Sequence, residues 1–450
     1  MKVVLTGFRG TGKTTVGRRL AEHLHLPLID TDACIEEQAG MPIPEIFRSR
    51  GEAGFRLLER EVIASLRNED CVIATGGGAV CDPANVEDLR YNATIVLLTA
   101  DPGVIEERIR GSDRPALTDL PAAGEIRHLL QVRRQAYRSS ADVCIETGNA
   151  ASPEIAAWIA RTLAEGTVSA GNRREAALLA REMGIGDAVA GDPATRLCGI
   201  AGNPCAHSKS PGLYKRLFER FGMNYRYTRF EWHDIGTIVR LARLLDVRGM
   251  SVTIPFKVDI VPYLDEVSED AAAIGAVNTV VQCGGVMQGF NTDWLGIRIP
   301  LRHRAGGRAV VLGAGGAAAA AVYALQSLDM EVTVLNRTPE KARTLASRYG
   351  CAAGGLDAFE GRDVDVVVNT TPVGMEGDAR SLLTVEQLEM GMTVYDCVYT
   401  PPETPLLREA VRAGCETIAG TEMFVHQAVE QFRLITGIAV EPALVREMME

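Results

Sequence analysis

An α/β fold built from sheets of parallel strands is what the sequence predicts, and three observations predict it. Short, continuous apolar runs of strand length alternate with helical patterns along most of the chain, as expected of strands covered on both faces. Two glycine-rich loops, Gly7-Phe8-Arg9-Gly10-Thr11-Gly12-Lys13-Thr14 and Gly313-Ala314-Gly315-Gly316-Ala317, each follow such a run and open a helical stretch. The length, 450 residues, exceeds what one core needs and suggests about three units at about 150 residues each.

Composition narrows the partners. Lys plus Arg is 47 and Asp plus Glu is 58, a formal net charge of −11. So acidic a chain is a poor general binder of nucleic acid, and anionic ligands must be met by local arginines and backbone amides, which favours small-molecule substrates. The ten cysteines are scattered without a C-x-x-C pair and mostly lie in apolar runs, which reads as buried free thiol in a reducing compartment. The chain enters directly into a strand and has no apolar run of the roughly 18 residues that span a membrane. A cytoplasmic protein without membrane partners is expected.

The first unit covers residues 1–165. Val3-Val4-Leu5, Val72-Ile73-Ala74, Thr94-Ile95-Val96-Leu97-Leu98 and Val143-Cys144-Ile145 are its strands. The first strand runs into the P-loop pattern, whose backbone amides cradle phosphates while Lys13 bridges the β and γ phosphates and the Thr14 hydroxyl ligates Mg²⁺. Gly10, Thr11, Gly12, Lys13, Thr14 and Thr15 are thus expected to bind ATP. Residues 166–195, with Gly, Asn and Pro punctuation and a helix-like stretch from Arg173 to Met183, read as a linker whose helix is expected to pack on one neighbour.

A second unit begins at Leu197-Cys198-Gly199-Ile200 and occupies 196–300, with residues 421–450 expected to return to it. A third, 301–420, begins with Ala309-Val310-Val311-Leu312 and the second glycine loop. That loop lacks lysine and hydroxyl and suits a dinucleotide's pyrophosphate, in a Rossmann unit. The next strand ends in Asn336-Arg337-Thr338, where an NAD-specific site would place Asp or Glu. An acidic side chain would repel a 2′-phosphate and Arg337 can pair with it, so NADP is preferred.

Further motifs name the chemistry. In the first unit Asp30-Thr31-Asp32 ends a strand, Gly51-Glu52-Ala53-Gly54-Phe55-Arg56 follows, then Gly76-Gly77-Gly78, Arg114-Pro115, and Arg133 four residues before Tyr137. With these motifs residues 1–165 resemble shikimate kinase. The resemblance implies that Asp32 orients the acceptor hydroxyl or acts as base, and that Asp30 lies near Mg²⁺ through water. It implies that Arg56 and Arg133 grip the substrate carboxylate, that Gly76, Gly77 and Gly78 let backbone approach the substrate, that Arg114 steadies the transferring phosphoryl group, and that Arg110 packs on adenine. On the residues alone, Arg133 also reads as a solvated helix face, and Asp30 and Asp32 as helix caps.

In the second unit Asn203-Pro204-Cys205-Ala206-His207-Ser208-Lys209-Ser210-Pro211, Ser251-Val252-Thr253-Ile254-Pro255-Phe256-Lys257, Gly275-Ala276-Val277-Asn278-Thr279 and Gly289-Phe290-Asn291-Thr292-Asp293 supply hydroxyls, amides, a lysine and an aspartate suited to a polyhydroxylated acid. From about residue 197 onward the chain resembles shikimate dehydrogenase. The resemblance implies that Ser208, Ser210, Thr253, Asn278 and Gln427, helped by Tyr399, bind substrate, and that Lys257 and Asp293 form the catalytic pair. Gly313, Ala314, Gly315, Gly316, Ala317, Asn336, Arg337, Thr338, Thr371 and Met423 would meet NADP(H). Ser251 stands where many relatives carry asparagine, and by itself Lys257 also reads as an exposed lysine at a helix start.

The expected architecture is a P-loop kinase domain followed by a two-domain dehydrogenase, an α/β substrate domain plus a Rossmann NADP domain. The expected function is NADPH-dependent reduction of 3-dehydroshikimate by the C-terminal half and phosphorylation of shikimate with ATP and Mg²⁺ by the N-terminal half. Two alternatives stay open: one half is a non-catalytic scaffold, or the dehydrogenase acts on quinate.

Overall fold

The computed structural model describes residues 1–110, 118, 120–148, 150–165, 170–192, 195–375 and 377–449. Its first sheet holds β1 (Lys2–Thr6), β2 (Leu28–Asp30), β3 (Val72–Ala74), β4 (Ala93–Thr99) and β5 (Val143–Glu146) in the order β2-β3-β1-β4-β5, all parallel. All five β1 residues are buried, because helices cover both faces of a central strand. Even Lys2 lies inside; its ammonium donates to Arg67 O at 2.8 Å and Asp88 O at 2.9 Å, and burial lowers its pKa to about 8.

The second sheet is mixed. It contains β6 (Arg196–Gly202), β7 (Tyr225–Glu231), β8 (Gly249–Val252), β9 (Glu266–Val267), β10 (Thr279–Cys283) and β11 (Val286–Phe290), in the order β7-β6-β8-β10-β11-β9. β10 runs antiparallel to both β8 and β11. The β10–β11 hairpin turns through Gly284 (φ 58°) and Gly285 (φ 78°), the two left-handed positions of a type I′ turn.

The third sheet holds β12 (Arg308–Leu312), β13 (Glu331–Leu335), β14 (Ala352–Gly354), β15 (Val366–Asn369), β16 (Thr393–Asp396) and β17 (Glu416–Ile418), parallel in the order β14-β13-β12-β15-β16-β17. Strand order reverses at β12, the switch point at which such sheets bind dinucleotides. The alanines of the Gly316–Gln326 helix are buried from Ala318 to Ala321 and let that helix lie close on the sheet.

The stretch read as a linker contains the helix Ala170–Glu182, and this helix is packed. Ala176, Ala180 and Met183 are buried in one cluster with Ile238, Leu241 and Ala242 of the helix Ile235–Leu244, and Arg240 pairs with Glu175 at 2.5 Å. The helix Gly420–Thr436 lies against the second sheet, sharing a core with Cys198, Ile200 and Leu213.

The two halves share a core as well. Val86, Leu89, Tyr137 and Ala141 from the first unit belong to the same apolar cluster as Phe221, Ile435 and Ile438. Fully buried Arg248 donates to Ile435 O (3.0 Å), Gln282 O (2.8 Å), Arg138 O (2.6 Å) and Ser139 O (2.8 Å). It thereby caps the C-terminal ends of Gly420–Thr436 and of Ala122–Ser140, where carbonyls lack partners and a cation suits the helix dipole. Arg138 also reaches Glu266 at 2.7 Å, and Arg134 pairs with the same carboxylate.

Beside this seam Arg90 donates to Asp142 Oδ1 at 2.7 Å and to the Tyr225 hydroxyl at 3.0 Å. Burial pushes the Asp142 carboxyl up, but Arg90 and the Ile95 N–H outweigh it and hold the group below its usual range. Removing one partner strands a buried charge, so Arg90→Met is expected to cost about 3–5 kcal/mol. Thermal denaturation checks this: the Arg90→Met/Asp142→Asn double variant should recover part of the loss, and wild-type stability of Arg90→Met would contradict it.

Candidate active sites

The first site forms where β1 delivers the P-loop beside the loop after β3. Gly7 (φ 138°), Gly10 (φ 81°) and Gly12 (φ 90°) adopt backbone conformations that favour glycine, and a Cβ on Gly7 would lie 2.2 Å from Leu98 O. Gly12 caps the helix Lys13–Leu24, so the amides of a helix start face the loop, as a phosphate site requires. Lys13 Nζ folds over the loop onto Gly7 O (2.8 Å) and Phe8 O (2.9 Å). Thr11 Oγ1 donates to Phe8 O at 2.8 Å, and Thr15 is exposed on the first turn of the helix.

Thr14 Oγ1 donates to Asp30 Oδ2 at 2.7 Å, which places two hard oxygen donors together, as Mg²⁺ prefers. Asp30 also caps the helix Thr31–Ala39 by accepting from Asp32 N at 3.1 Å, so the capping reading holds for Asp30. Asp32 lies in the adjoining pocket with Arg56, Gly76, Gly77, Gly78 and Arg133. A Cβ on Gly76 would stand 2.8 Å from Asp32 Oδ1, and one on Gly78 would stand 2.7 Å from Arg56 Nη2. A side chain at either glycine would displace the charged groups lying over it. Arg133 Nη1 donates to Gly77 O at 3.1 Å, so the helix Ala122–Ser140 turns it inward, and the solvated-face reading fails.

Sequence reasoning missed Glu59. It is buried on the same helix as Arg56, accepts from Arg56 Nη1 at 2.6 Å, and has no partner for Oε1 among the described residues. Burial raises its pKa, opposed by Arg56 and Arg133. The available signal was its i+3 spacing from Arg56. We expect Glu59→Gln to raise the KM for the carboxylated substrate of this site about 10-fold through a loosened Arg56, with the KM for ATP unchanged; steady-state kinetics checks it.

Arg110 is exposed just past the helix Pro102–Ile109, while Arg108 reaches back to Gly10 O (3.3 Å) and Thr147 O (2.9 Å). Arg114 and Pro115 lie outside the described residues.

The second site lies between the second and third sheets. Lys257 Nζ donates to Asp293 Oδ2 at 2.6 Å. Asn278 Nδ2 donates to the other oxygen, Asp293 Oδ1, at 2.7 Å, and Asn278 Oδ1 accepts from Thr292 N at 2.8 Å. Lys257 is thus no free surface lysine; its partner is fixed in turn by β10 and the start of the helix Asp293–Leu301. Ser208 and Ser210 are buried at the start of the helix Ser210–Arg220, with Ser210 N donating to Ser208 Oγ at 3.2 Å. Thr253, partly buried, follows β8. Gln427 and Met423 come from Gly420–Thr436; Gln427 donates to Phe424 O at 3.1 Å, and Tyr399 packs on Phe424 with ring centroids 5.4 Å apart.

The dinucleotide loop closes on this pair. A Cβ on Gly316 would lie 3.4 Å from Lys257 Cβ, whereas one on Gly315 would meet nothing within 4 Å. Gly313 (φ 118°) leaves β12, and Gly315 caps the helix that carries Ala317. Open space over a helix N-terminus fits a pyrophosphate. Thr371 Oγ1 is tied to Asn369 Oδ1 at 2.8 Å, and Asn336 Nδ2 to Thr338 O at 2.9 Å. Arg337 is exposed at the end of β13.

Ser251 belongs to a buried network the sequence did not announce. It accepts from the Tyr227 hydroxyl at 2.7 Å and donates to Gln431 Oε1 at 2.8 Å, which also accepts from Tyr214 at 3.0 Å. Gln431 Nε2 then reaches Asn278 O at 3.2 Å.

Family models match four stretches of the chain: shikimate kinase over residues 9–164, the shikimate dehydrogenase substrate binding domain over 200–280, shikimate / quinate 5-dehydrogenase over 300–373, and the shikimate 5′-dehydrogenase C-terminal domain over 420–449. The shikimate dehydrogenase (NADP(+)) of Pyrococcus furiosus is 40% identical over 260 residues, 56% of this chain and 95% of that protein. Among solved structures, the shikimate 5-dehydrogenase of Thermus thermophilus in complex with NADP(H) and shikimate is 35% identical. It aligns with TM-score 0.53 over 57% of this chain and 98% of its own. The quinate dehydrogenase of Corynebacterium glutamicum in complex with NAD is 33% identical, with TM-score 0.53 over 56% of this chain and 98% of its own. The chain belongs to the shikimate dehydrogenase family and carries a shikimate kinase domain ahead of its dehydrogenase domains.

Proposed function

We propose that the chain is a bifunctional enzyme whose C-terminal half reduces 3-dehydroshikimate to shikimate and whose N-terminal half phosphorylates shikimate at its 3-hydroxyl. One arrangement carries the reading: each nucleotide loop abuts a polar pocket of its own, Gly316 against Lys257 and the P-loop backbone at Arg9 against Gly77. The working parts are residues 1–165 for the kinase and 196–300 with 421–450 for the dehydrogenase substrate domain. Residues 301–420 form the NADP domain.

In the dehydrogenase NADPH supplies hydride to the substrate carbonyl carbon. Lys257 Nζ gives the proton that the carbonyl oxygen needs, and Asp293 holds that ammonium in place. Ser208, Ser210, Thr253, Asn278, Tyr399 and Gln427 orient the carboxylate and hydroxyls. Gly313 to Ala317 hold the pyrophosphate, Asn336, Arg337 and Thr338 the adenosine end, and Thr371 and Met423 the nicotinamide side.

In the kinase ATP with Mg²⁺ supplies the phosphoryl group. Asp32 orients the acceptor hydroxyl and takes its proton, while Arg56 and Arg133 fix the carboxylate at the far side of the pocket. Lys13 and Arg114 draw charge off the phosphoryl oxygens. Thr14, with Asp30 through water, holds the metal, and Arg110 meets the adenine.

Two assays on the full chain test this: NADPH oxidation with 3-dehydroshikimate, and ADP release with shikimate. Loss of either activity in a folded preparation leaves that half a scaffold. Quinate is the second reading for the dehydrogenase, motivated by the likeness to a quinate dehydrogenase; a higher kcat/KM for quinate with NAD would establish it. For the cofactor, Arg337→Ala should lower kcat/KM with NADPH about 10- to 100-fold and leave that with NADH unchanged. The reading places the enzyme in the cytoplasm.

A further inference from the structure

Two cysteines meet across the seam between the halves, and neither active site uses them. Cys144 lies on β5, two residues after Asp142, and Cys283 ends β10 next to Gln282, whose carbonyl holds Arg248. The hairpin turn rests directly on Cys144: a Cβ on Gly284 would be 3.0 Å from Cys144 Cβ and 3.5 Å from its Sγ. The two side chains interact, each shifting the other's titration. Cys283 is buried and Cys144 only partly so, so a reagent approaching the pair meets Cys144 first.

The surroundings favour thiolate. Cys144 lowers the Cys283 thiol against its burial, helped by Arg248, Arg196 and Arg138. The same interaction, with burial, raises Cys144. A thiol eased toward its thiolate beside a second thiol is the arrangement that thiol–disulfide exchange requires.

We propose that Cys144 and Cys283 form a modification site for low-molecular-weight disulfides, closing to a disulfide that pins the kinase half to the dehydrogenase half. Cys144 passes its proton to the Cys283 thiolate and attacks one sulfur of the reagent RSSR, whose S–S bond breaks and releases RS⁻; that RS⁻ takes the proton from Cys283 and leaves as RSH. Cys283 thiolate then attacks the Cys144 sulfur of the mixed disulfide and releases the second RS⁻. The protein loses two electrons and two protons, and the reagent gains both as two RSH. The bond joins segments that the seam already holds together. It closes a loop through the 166–195 connection and constrains the unfolded chain.

The test incubates the full-length enzyme with oxidised glutathione at neutral pH and maps peptides without reduction. The expected product is one peptide pair joining Cys144 to Cys283, lighter by two hydrogens and split by dithiothreitol. The oxidised enzyme should lose both activities together, at a higher temperature than the reduced enzyme. Cys283→Ser should stop at a glutathione adduct on Cys144, and Cys144→Ser should give no cross-link. A stable glutathione adduct on Cys144 of the wild-type protein would overturn the proposal. So would both cysteines remaining free while exposed Cys81 takes up the reagent; these wild-type outcomes depend on no variant folding.

Discussion

Lys257→Ala should lower NADPH-dependent reduction of 3-dehydroshikimate by about 10²- to 10⁴-fold, the range for a positioned general acid, and leave ATP-dependent phosphorylation at its wild-type rate. The physical case is local. Lys257 Nζ is fixed at 2.6 Å from Asp293 Oδ2, and Asp293 is fixed by Asn278 at 2.7 Å, so the proton donor arrives with its orientation already set. Alanine removes the donor and leaves Asp293 with Asn278 as its remaining support. Hydride delivery to the carbonyl would then leave an alkoxide without a proton source, so the loss falls on kcat more than on KM. The P-loop pocket gathers around β1 and β3 and contains no residue of this network, which is why phosphorylation is spared. Initial rates of both half-reactions on one preparation check the prediction; equal loss of both activities from a folded protein contradicts it.

Lys13→Ala is the converse and should cost phosphorylation at least about 10²- to 10³-fold, the scale for removing one preorganised donor to developing charge, with reduction unchanged. Lys13 Nζ is held over the P-loop by Gly7 O and Phe8 O, 2.8 and 2.9 Å away, so its charge already lies where the phosphates must pass. The loop's glycine conformations at 7, 10 and 12 do not depend on that side chain, so the site should persist and lose its cation. A variant that keeps normal phosphorylation would remove the P-loop from the mechanism.

Both nucleotide loops were legible because their signal is contiguous: a buried strand, glycines at left-handed positions and a helix start, all within about a dozen residues. Lys257 and Asp293 were legible only through the family motifs that contain them, since residues 36 apart carry no spacing rule. Other features escaped because they depend on tertiary neighbours. Glu59 looked like one more helix carboxylate until the fold placed Gly76 and Asp32 over it. Gln431 acquires its role from Tyr214, Ser251 and Asn278, which arrive from three other elements. The hairpin between β10 and β11 had a readable Gly284-Gly285 signal, and the alternating runs around it were absorbed into a general α/β reading.

The seam between the halves was the least legible part. In the stretch 166–195 the linker and its helix were readable, but which neighbour the helix packs on, the dehydrogenase core, was not. Arg90, Arg248 and Glu266 carried no pattern that distinguished them from surface charges. Arg248 is buried where Ala122–Ser140 docks against Gly420–Thr436, Arg90 by Asp142 and Tyr225 from the two halves, and Glu266 is held by Arg134 and Arg138. Arg133 and Gln427 stand on these two docked helices, one from each proposed substrate site.

The chain order reverses the proposed reaction order, since the later dehydrogenase domains make what the earlier kinase domain consumes. Supplying the full-length enzyme with 3-dehydroshikimate, NADPH and MgATP tests this most directly. The predicted result is shikimate 3-phosphate, formed with equal amounts of NADP⁺ and ADP. Accumulation of unphosphorylated shikimate, or ADP release without any product derived from 3-dehydroshikimate, would contradict it.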